Sequence, residues 1–247
     1  MSTPLLETKG LSLSFGGVVA ADQIDFALHA GERLAVIGQN GAGKTTFINI
    51  CTGFLKPKSG QVLLDGVNIT HKEPRQIVRL GLGRSFQLPQ LFTEHTVRQC
   101  LEIAAAARTG RLSWFTALTD AVDRHEIDDT LSLVGLQARA HHAASALPEG
   151  QRKLLDVAMA LMLRPKLMIM DEPTSGVASE DKMALMDTVM QALQERQVTS
   201  WFVEHDIDIV NRYATRVAAW IAGRVAADGP PAQVLSDPQI KREVLGT

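Results

Sequence analysis

The stretch LAVIGQNGAGKT, residues 34–45, joins a short apolar run to a glycine-rich loop. The run Leu34–Ile37 is continuously apolar, which is typical of a strand buried on both faces. The residues that follow the loop, 44–52, are predicted to form a helix. Glycines allow the loop backbone to turn tightly, so that successive N–H groups point at one anion. The spacing G-x-x-x-x-G-K-[ST] between a strand and a helix therefore predicts a phosphate-binding loop.

The side chains of the individual loop residues suit the binding of a nucleoside triphosphate. The Lys44 side chain is long enough to reach the β- and γ-phosphates, and the Thr45 hydroxyl is a suitable Mg²⁺ ligand. The alternative without a function, a glycine-rich turn with an incidental lysine, does not explain the flanking strand and helix. We expect a nucleotide with Mg²⁺ to be bound here, by Gly38, Asn40, Gly41, Ala42, Gly43, Lys44, Thr45 and Thr46.

A second apolar run ends in two acids. Residues 167–170 are predicted to form a buried strand, which delivers Asp171 and Glu172 at its carboxyl end. Asp171 is expected to be a metal ligand, and Glu172 to polarise a water molecule as the general base. A strand that merely ends in solvated acids is the alternative. The phosphate-binding loop elsewhere in the chain favours the catalytic interpretation.

Strands and helices alternate in the order that predicts an α/β fold with a mostly parallel sheet. Period-2 alternation predicts strands at 11–15 and 24–28, which form an antiparallel N-terminal β part. Residues 92–163 are rich in Ala, Leu and Arg and read as helices. The chain is thus predicted to be one domain, with an α/β core (1–91 and 164–247) and an inserted helical subdomain (92–163). Further predicted elements are helices near 104–107, 121–134, 152–163 and 180–196, a strand at 200–203, and short strands from Arg216 with a turn at Gly223-Arg224, followed by one or two short helices.

Composition excludes several classes of function. The 247 residues carry 25 basic and 27 acidic side chains, a net charge of −2, so nothing indicates a nucleic-acid partner. The longest apolar runs are far shorter than the ~18 residues that a membrane span requires. The N-terminus lacks the basic-then-apolar order of a signal peptide. We therefore expect a cytoplasmic protein that acts at a membrane only through a partner.

The order of the motifs resembles that of the ATP-binding cassette (ABC) ATPases, the motor subunits of ABC transporters, over nearly the whole chain. After the phosphate-binding loop come Ser85-Phe86-Gln87, a helical region, Leu147–Gln151, Asp171-Glu172 and Glu204-His205-Asp206. The resemblance implies a P-loop NTPase core. It also implies that Phe15 stacks on adenine, that Gln87 contacts Mg²⁺ and the attacking water, and that His205 contacts the γ-phosphate. Gly150 and Gln151 would bind ATP held by an opposite subunit.

Two motifs depart from the family pattern. The family signature usually reads Leu-Ser-Gly-Gly-Gln, whereas this chain has Pro148 and Glu149 in its second and third places. The family usually has an Asp where this chain has Ala178. A proline has neither a hydroxyl nor a backbone N–H to offer a phosphate. The sequence therefore predicts ordinary ATP binding, with a composite site that is slow or depends on a partner.

Local strings resemble the ATPases of importers for branched-chain amino acids and for urea or short amides. The strings are Ser14–Val18, Arg84–Gln87, Val203–Asp206 and the ending from Asp228 to Gly246. The implied partners are integral-membrane permeases, a second identical or different ABC ATPase and, indirectly, an external solute-binding protein. The implied location is peripheral, on the cytoplasmic face of the plasma (inner) membrane.

Three other functions stay open at this stage. A lipopolysaccharide-export ATPase shares some of the strings, especially Val203–Asp206. A nucleotide-gated subunit with weak hydrolysis would suit Pro148 and Ala178. A soluble ABC protein acting on DNA or ribosomes would usually carry two cassettes or basic extensions. Two surfaces are candidates for permease docking: the Trp114-Phe115 pair and a groove near residues 87–92.

Overall fold

A computed structural model of the protein describes residues 3–109 and 122–246. The described strands form two sheets. The first is antiparallel, with strand order β2-β1-β4-β5. Its strands are β1 (Leu6–Phe15), β2 (Val18–Leu28), β4 (Ser59–Leu64) and β5 (Val67–Asn68). The predicted strands at 11–15 and 24–28 are thus the ends of a longer hairpin.

The second sheet has the order β10-β9-β3-β8-β7-β6 and is parallel except for its β9–β10 edge. Its strands are β3 (Arg33–Gly38), β6 (Leu82–Ser85), β7 (Leu167–Asp171), β8 (Thr199–Val203), β9 (Arg216–Ile221) and β10 (Arg224–Gly229). The α/β fold class predicted from the sequence is confirmed. The predicted turn at Gly223-Arg224 is displaced by one residue, because Arg224 already pairs with Ile221.

The described helices are α1 (Lys44–Cys51), α2 (Pro74–Arg79), α3 (Val97–Thr109), α4 (Arg124–Leu133), α5 (Glu149–Met162), α6 (Ser179–Glu195), α7 (Ile207–Tyr213), α8 (Pro231–Ser236) and α9 (Pro238–Ile240), with a π-helical turn at Lys241–Leu245. Within residues 92–109 and 122–163 the structure has helices and one isolated bridge, Thr96–Ala143, but no strand. No helix in the described ranges has the length and apolar character that crossing a bilayer requires.

Helix α5 begins at Glu149, three residues before the predicted start at Arg152. Pro148, with φ −58° and ψ 157°, is the residue before the helix, a position that tolerates the fixed φ of proline. Glu149 then places a carboxylate in the first turn, where the helix dipole favours negative charge. The correction moves Gly150 and Gln151 from a loop into the first turn of a helix.

The parallel sheet has a hydrophobic cluster on each face. Ala35 and Ile37 of β3 face a cluster that includes the buried sides of α3, α5 and α6. Leu34 and Val36 face a second cluster, shared with α1 and the antiparallel sheet. The alternation explains why β3 is apolar at every position, because both of its faces are covered.

Candidate functional site

Four neighbouring parallel strands end at one edge of the sheet. In the spatial order β3-β8-β7-β6, their carboxyl ends lead to the phosphate-binding loop, His205, Glu172 and Gln87. Ligand sites in open α/β sheets lie at this edge, where the loops after the strands meet. The topology therefore brings together residues that lie in four separate parts of the sequence.

The loop after β3 has the shape that its glycines predict. Gly43 has φ +100°, and a Cβ at this position would collide with the backbone oxygen of Ala20. A Cβ on Gly38 would stand 2.6 Å from the backbone oxygen of Trp220. Both positions therefore exclude larger residues, and α1 begins directly after the loop at Lys44.

The buried Lys44 side chain folds back over this loop, and its Nζ donates to the carbonyl oxygens of Gly38 and, at 2.9 Å, of Gln39. Lys44 takes part in none of the ion pairs formed among the described residues. Burial lowers the pKa of this ammonium, and the charges of Glu172 and Asp171 oppose that shift. A desolvated cation at a helix N-terminus, within a loop of glycines, fits a phosphate ligand.

The Glu172 carboxylate is held at both oxygens. Gln87 Nε2 donates to Glu172 Oε2 at 2.8 Å, and His205 Nε2 lies 3.1 Å from Glu172 Oε1. The backbone of Glu172 has φ +50°, a left-handed conformation that costs a non-glycine residue on the order of 1–3 kcal/mol. Strain of this kind persists only where surrounding contacts over-determine it, and here it points the carboxylate between Gln87 and His205.

Asp171, at the end of β7, is buried beside a cation. Its Oδ2 lies 3.5 Å from Arg84 Nη2. Burial raises the pKa of Asp171, and the Arg84 charge lowers it again in part. The exposed Thr45 hydroxyl, the Gln87 amide and this carboxylate are hard oxygen donors, which suit Mg²⁺. Within the described residues no group of three or more His, Cys, Asp or Glu side chains could hold a metal ion.

Comparison with known proteins agrees with this geometry. The family model described as "ABC transporter" matches residues 21–175, more than half of the chain. The chain belongs to the ABC transporter family. Members of this family bind and hydrolyse ATP, so the chain is an ATP hydrolase, and the resemblance seen in the sequence is confirmed.

Relatives and solved structures match over nearly the full length. The high-affinity branched-chain amino acid transport ATP-binding protein LivG of Escherichia coli K12 is 32% identical, over 100% of this chain and 99% of its own. The probable LivG protein of Archaeoglobus fulgidus is 35% identical, over 98% and 95%. A crystal structure of the ADP conformation of an ATP-binding cassette of an ABC transporter superposes with TM-score 0.83 at 29% identity, over 98% of both chains.

The signature-like residues begin helix α5. A Cβ placed on Gly150 would stand 3.6 Å from Leu185 and 3.9 Å from Val177, so this residue lies beside α6 and the loop that precedes it. The Glu149 carboxylate lies 3.7 Å from Arg152 Nη1, so its charge is partly balanced within the first turn of α5.

The other predicted positions are more loosely connected to the site. Phe15 ends β1 at the hairpin turn and is 49% exposed, beside the exposed Val18. Ala178 immediately precedes α6 and supplies no side-chain cap. The Trp114-Phe115 pair lies outside the described residues.

Four buried or nearly buried charged residues beside the site were given no role from the sequence: Arg84, Lys153, Asp156 and Glu204. Glu204 accepts from Thr174 Oγ1 at 2.7 Å and from the His205 N–H at 3.2 Å, and burial raises its pKa. It therefore orients the segment that carries His205. The sequence did contain a signal for these residues. Arg84 and Glu204 lie beside motif residues, and Lys153 and Asp156 lie on the apolar face of a helix, where charged side chains are rarely buried unless they have a partner.

Proposed function

We propose that this ABC ATPase is the ATP-hydrolysing motor subunit of a membrane importer. The observation that carries the proposal is the convergence of Gln87 and His205 on the Glu172 carboxylate, at the sheet edge that also bears Lys44 and Asp171. This arrangement supplies a general base, two groups that orient it and a cation for phosphate. It supports hydrolysis rather than nucleotide binding alone.

The loop residues from Gly38 to Thr46 would bind the phosphates through backbone N–H groups and Lys44. Phe15 would stack on adenine, since its ring is half exposed at a hairpin turn. Thr45, Gln87 and Asp171 would hold Mg²⁺, which neutralises phosphate charge when it is bound. The assignment of Asp171 as a metal ligand is supported by its buried carboxylate, whose described ion-pair partner is Arg84 alone.

Hydrolysis would proceed through Glu172. A water oxygen forms a bond to the γ-phosphorus while the bond from that phosphorus to the β–γ bridging oxygen breaks, releasing ADP and phosphate. One water proton would pass to a Glu172 carboxylate oxygen, since each oxygen has one protein partner and keeps a further lone pair. His205 would contact the γ-phosphate as an imidazole that can donate one hydrogen bond.

The second half of each site would come from another ATPase subunit, identical or different. Gly150 and Gln151 lie in the first turn of α5, where backbone N–H groups without a partner in the helix can bind an anion, which supports a role toward a nucleotide held by the opposite subunit. Pro148 offers that nucleotide no backbone N–H, and Ala178 lacks the usual carboxylate. A slow or partner-dependent composite site follows, and a nucleotide-gated subunit with weak hydrolysis is the second candidate that these residues favour.

The transported solute is proposed from the relatives. Their names specify branched-chain amino acids, which we propose here ahead of other amino acids, urea or short amides. Export of lipopolysaccharide stays the alternative in the opposite direction.

Permease subunits would dock in a cleft of about 300 Å³ lined by Phe54, Phe86 and Phe92. The subunit would sit on the cytoplasmic face of the plasma (inner) membrane, with residues 92–163 as an inserted helical subdomain.

Two substitutions test the hydrolysis mechanism. Lys44→Ala is expected to weaken ATP binding by about tenfold or more, because it removes the buried cation of the loop. Glu172→Gln is expected to bind ATP normally and to lose hydrolysis by about a hundredfold or more, because an amide cannot accept the proton. Radiolabelled ATP binding and single-turnover hydrolysis measure the two effects separately. Hydrolysis by Glu172→Gln at the parent rate would show that another group is the base.

Light scattering tests how many chains complete a site. The mass of the Glu172→Gln protein is measured with and without ATP, since blocked hydrolysis traps any closed dimer. A dimer that requires ATP would support two copies of this chain closing on each other. A monomer that still binds ATP would support a second, different ATPase or a permease as the component that closes the site.

A further inference from the structure

The ammonium group of Lys153 lies inside the protein, between two catalytic segments. Lys153 is on the buried face of α5, three residues after Gly150, and is 3% exposed. Its Nζ donates to the carbonyl oxygen of Gln87 at 2.9 Å and lies 3.3 Å from the carbonyl oxygen of Glu172. One side chain therefore contacts the backbone of both residues whose side chains form the 2.8 Å bond at the hydrolysis site.

A cation at this position is costly if it serves packing alone. Lys153 belongs to none of the ion pairs found among the described residues. The surrounding carboxylates are bound elsewhere: Glu149 to Arg152, Asp156 and Glu204 to other N–H groups, and Glu172 to Gln87 and His205. An apolar side chain of similar length would fill the space without the desolvation penalty of an ammonium.

The contact with Glu172 has a specific mechanical effect. The strained backbone of Glu172, with φ +50°, needs outside support to persist. Its N–H donates to the Val203 carbonyl at 3.1 Å, and its own carbonyl faces the Lys153 ammonium at 3.3 Å. The peptide groups on both sides of the catalytic carboxylate are therefore tied, one to β8 and one to α5.

Asp156, three residues further along α5, makes contacts that can be compared with those of Lys153. Its carboxylate accepts from the Phe86 N–H at 3.0 Å and the Gln90 N–H at 3.3 Å, so it holds the segment around Gln87. Of these two α5 side chains, Lys153 is the one that also reaches Glu172. Helix α5 thus holds the segment around Gln87 through three hydrogen bonds and the backbone carbonyl of Glu172 through one.

We propose that Lys153 is a positioning residue for hydrolysis, which ties the helix bearing Gly150 and Gln151 to Gln87 and Glu172 of the same chain. A nucleotide of the opposite subunit that engages the first turn of α5 thereby sets the geometry of this chain's own general base. The inference rests on the proposed role of Glu172 and names how the two composite sites of a dimer are linked.

The first test replaces Lys153 and separates binding from turnover. Lys153→Met is expected to lower the single-turnover rate by about tenfold or more, with affinity for a non-hydrolysable ATP analogue within about twofold of the parent. Lys153→Arg keeps a cationic donor and is expected to recover most of the rate. Lys166→Met, which removes a surface lysine paired with Asp65, is the matched control and should leave the rate unchanged.

The outcomes distinguish this inference from the proposed function. A Lys153→Met rate within about twofold of the parent, or a rate loss that Lys153→Arg does not reverse in a folded protein, overturns the positioning role. If Lys153→Met does not fold, the comparison of Lys153→Arg and Lys153→Gln decides, since Gln keeps a neutral donor without the charge; equal rates for these two overturn the proposal. Hydrolysis by Glu172→Gln at the parent rate would instead contradict the proposed function, in which Glu172 is the general base.

A double-mutant cycle tests the link to the signature turn. Pro148→Ser changes the start of α5, and Lys153→Met cuts the contact with Glu172. If Lys153 carries the effect, the change in hydrolysis rate caused by Pro148→Ser should shrink by about half or more in the Lys153→Met background. Strictly additive effects on the rate would mean that α5 and Glu172 act independently.

Discussion

Gln87 and Glu172 are 85 residues apart in the chain and are joined by a 2.8 Å hydrogen bond from Nε2 to Oε2. The second oxygen of the same carboxylate faces His205 Nε2 at 3.1 Å. Each oxygen therefore has one protein partner and keeps a further lone pair that can take a proton from water. The segments that carry Gln87 and His205 thus set the orientation of the proposed base.

Replacing Gln87 should reduce turnover more than binding. Gln87→Ala removes the donor to Oε2 and the amide proposed to bind Mg²⁺, and we expect the hydrolysis rate to fall by about tenfold or more with ATP affinity changed by less than about threefold. Gln90→Ala is the matched control, because among the described residues the Gln90 side chain donates only to the Leu88 carbonyl at 3.1 Å. Equal losses in the two variants would contradict a catalytic role for Gln87.

Pro148→Ser should raise hydrolysis by an assembled dimer several-fold. Serine at the residue before α5 supplies a hydroxyl and an N–H for the opposite nucleotide, and it caps the helix with about 1 kcal/mol. Removing proline also makes the unfolded chain more flexible, which destabilises the folded state by a comparable amount. The free energy of unfolding should therefore change by less than about 1 kcal/mol. Pro148→Ala separates the N–H from the hydroxyl. Turnover unaffected by Pro148→Ser would count against a weakened signature.

Ala178→Asp should stabilise the fold. Ala178 precedes α6 with φ −58° and ψ 143°, the conformation of an N-cap, but offers no acceptor to the first-turn N–H groups. A capping carboxylate is expected to raise the free energy of unfolding by about 1 kcal/mol, measured by urea denaturation. Ala178→Asn caps without charge and shows whether Glu180 and Asp181 in the first turn reduce the gain. An unchanged unfolding midpoint in both variants would show that a capping side chain at this position does not stabilise the fold.

Glu126→Gln should destabilise the helical region in a pH-dependent way. Glu126 accepts both guanidinium N–H groups of Arg108, at 2.7 and 2.8 Å, and Arg164 Nε at 2.9 Å, and these bonds lower its pKa to about 2. Because the folded-state pKa lies below the unfolded one, the stabilisation is present above about pH 4.5 and is lost as the pH falls toward 2. We expect the variant to lose about 2 kcal/mol at pH 7.

Urea denaturation between pH 7 and pH 3 checks this prediction. The difference in unfolding free energy between parent and variant should be constant down to about pH 5 and shrink below it. Glu195→Gln is the control, because the Glu195 carboxylate accepts only from the exposed Gln191 side chain. A difference that did not vary with pH would attribute the loss to packing rather than to the ionised carboxylate.

Sequence motifs located much of the candidate site. The loop from Gly38 to Thr45 and the pair Asp171-Glu172 were recognisable because strand, turn and helix chemistry there is local. The start of α5 was placed three residues late, because Pro148 and Gly150 both disfavour a helix interior. The structure shows that neither stands in one, since Pro148 precedes the helix and Gly150 lies in its first turn.

The roles of Lys153, Asp156 and Glu204 could not be read from the sequence. Each acts on segments 19 to 70 residues away, through two hydrogen bonds to backbone groups or to the side chain of Thr174. No residue pattern encodes such a contact, because it depends on which strands are neighbours in the sheet. The order β3-β8-β7-β6 is what places α5 against the loops after β6 and β7.

The sequence by itself determined the phosphate-binding loop, the strand that ends in Asp171 and Glu172, and the family, because these depend on short-range spacing and on backbone freedom at glycine. The tertiary structure alone decided that Gln87 and His205 meet on the two oxygens of Glu172 and that the buried Lys153 ammonium donates to the backbone carbonyl of the same residue. The reason is physical: the distances between these groups are set by sheet order and helix packing, which arise only when the whole apolar core is assembled.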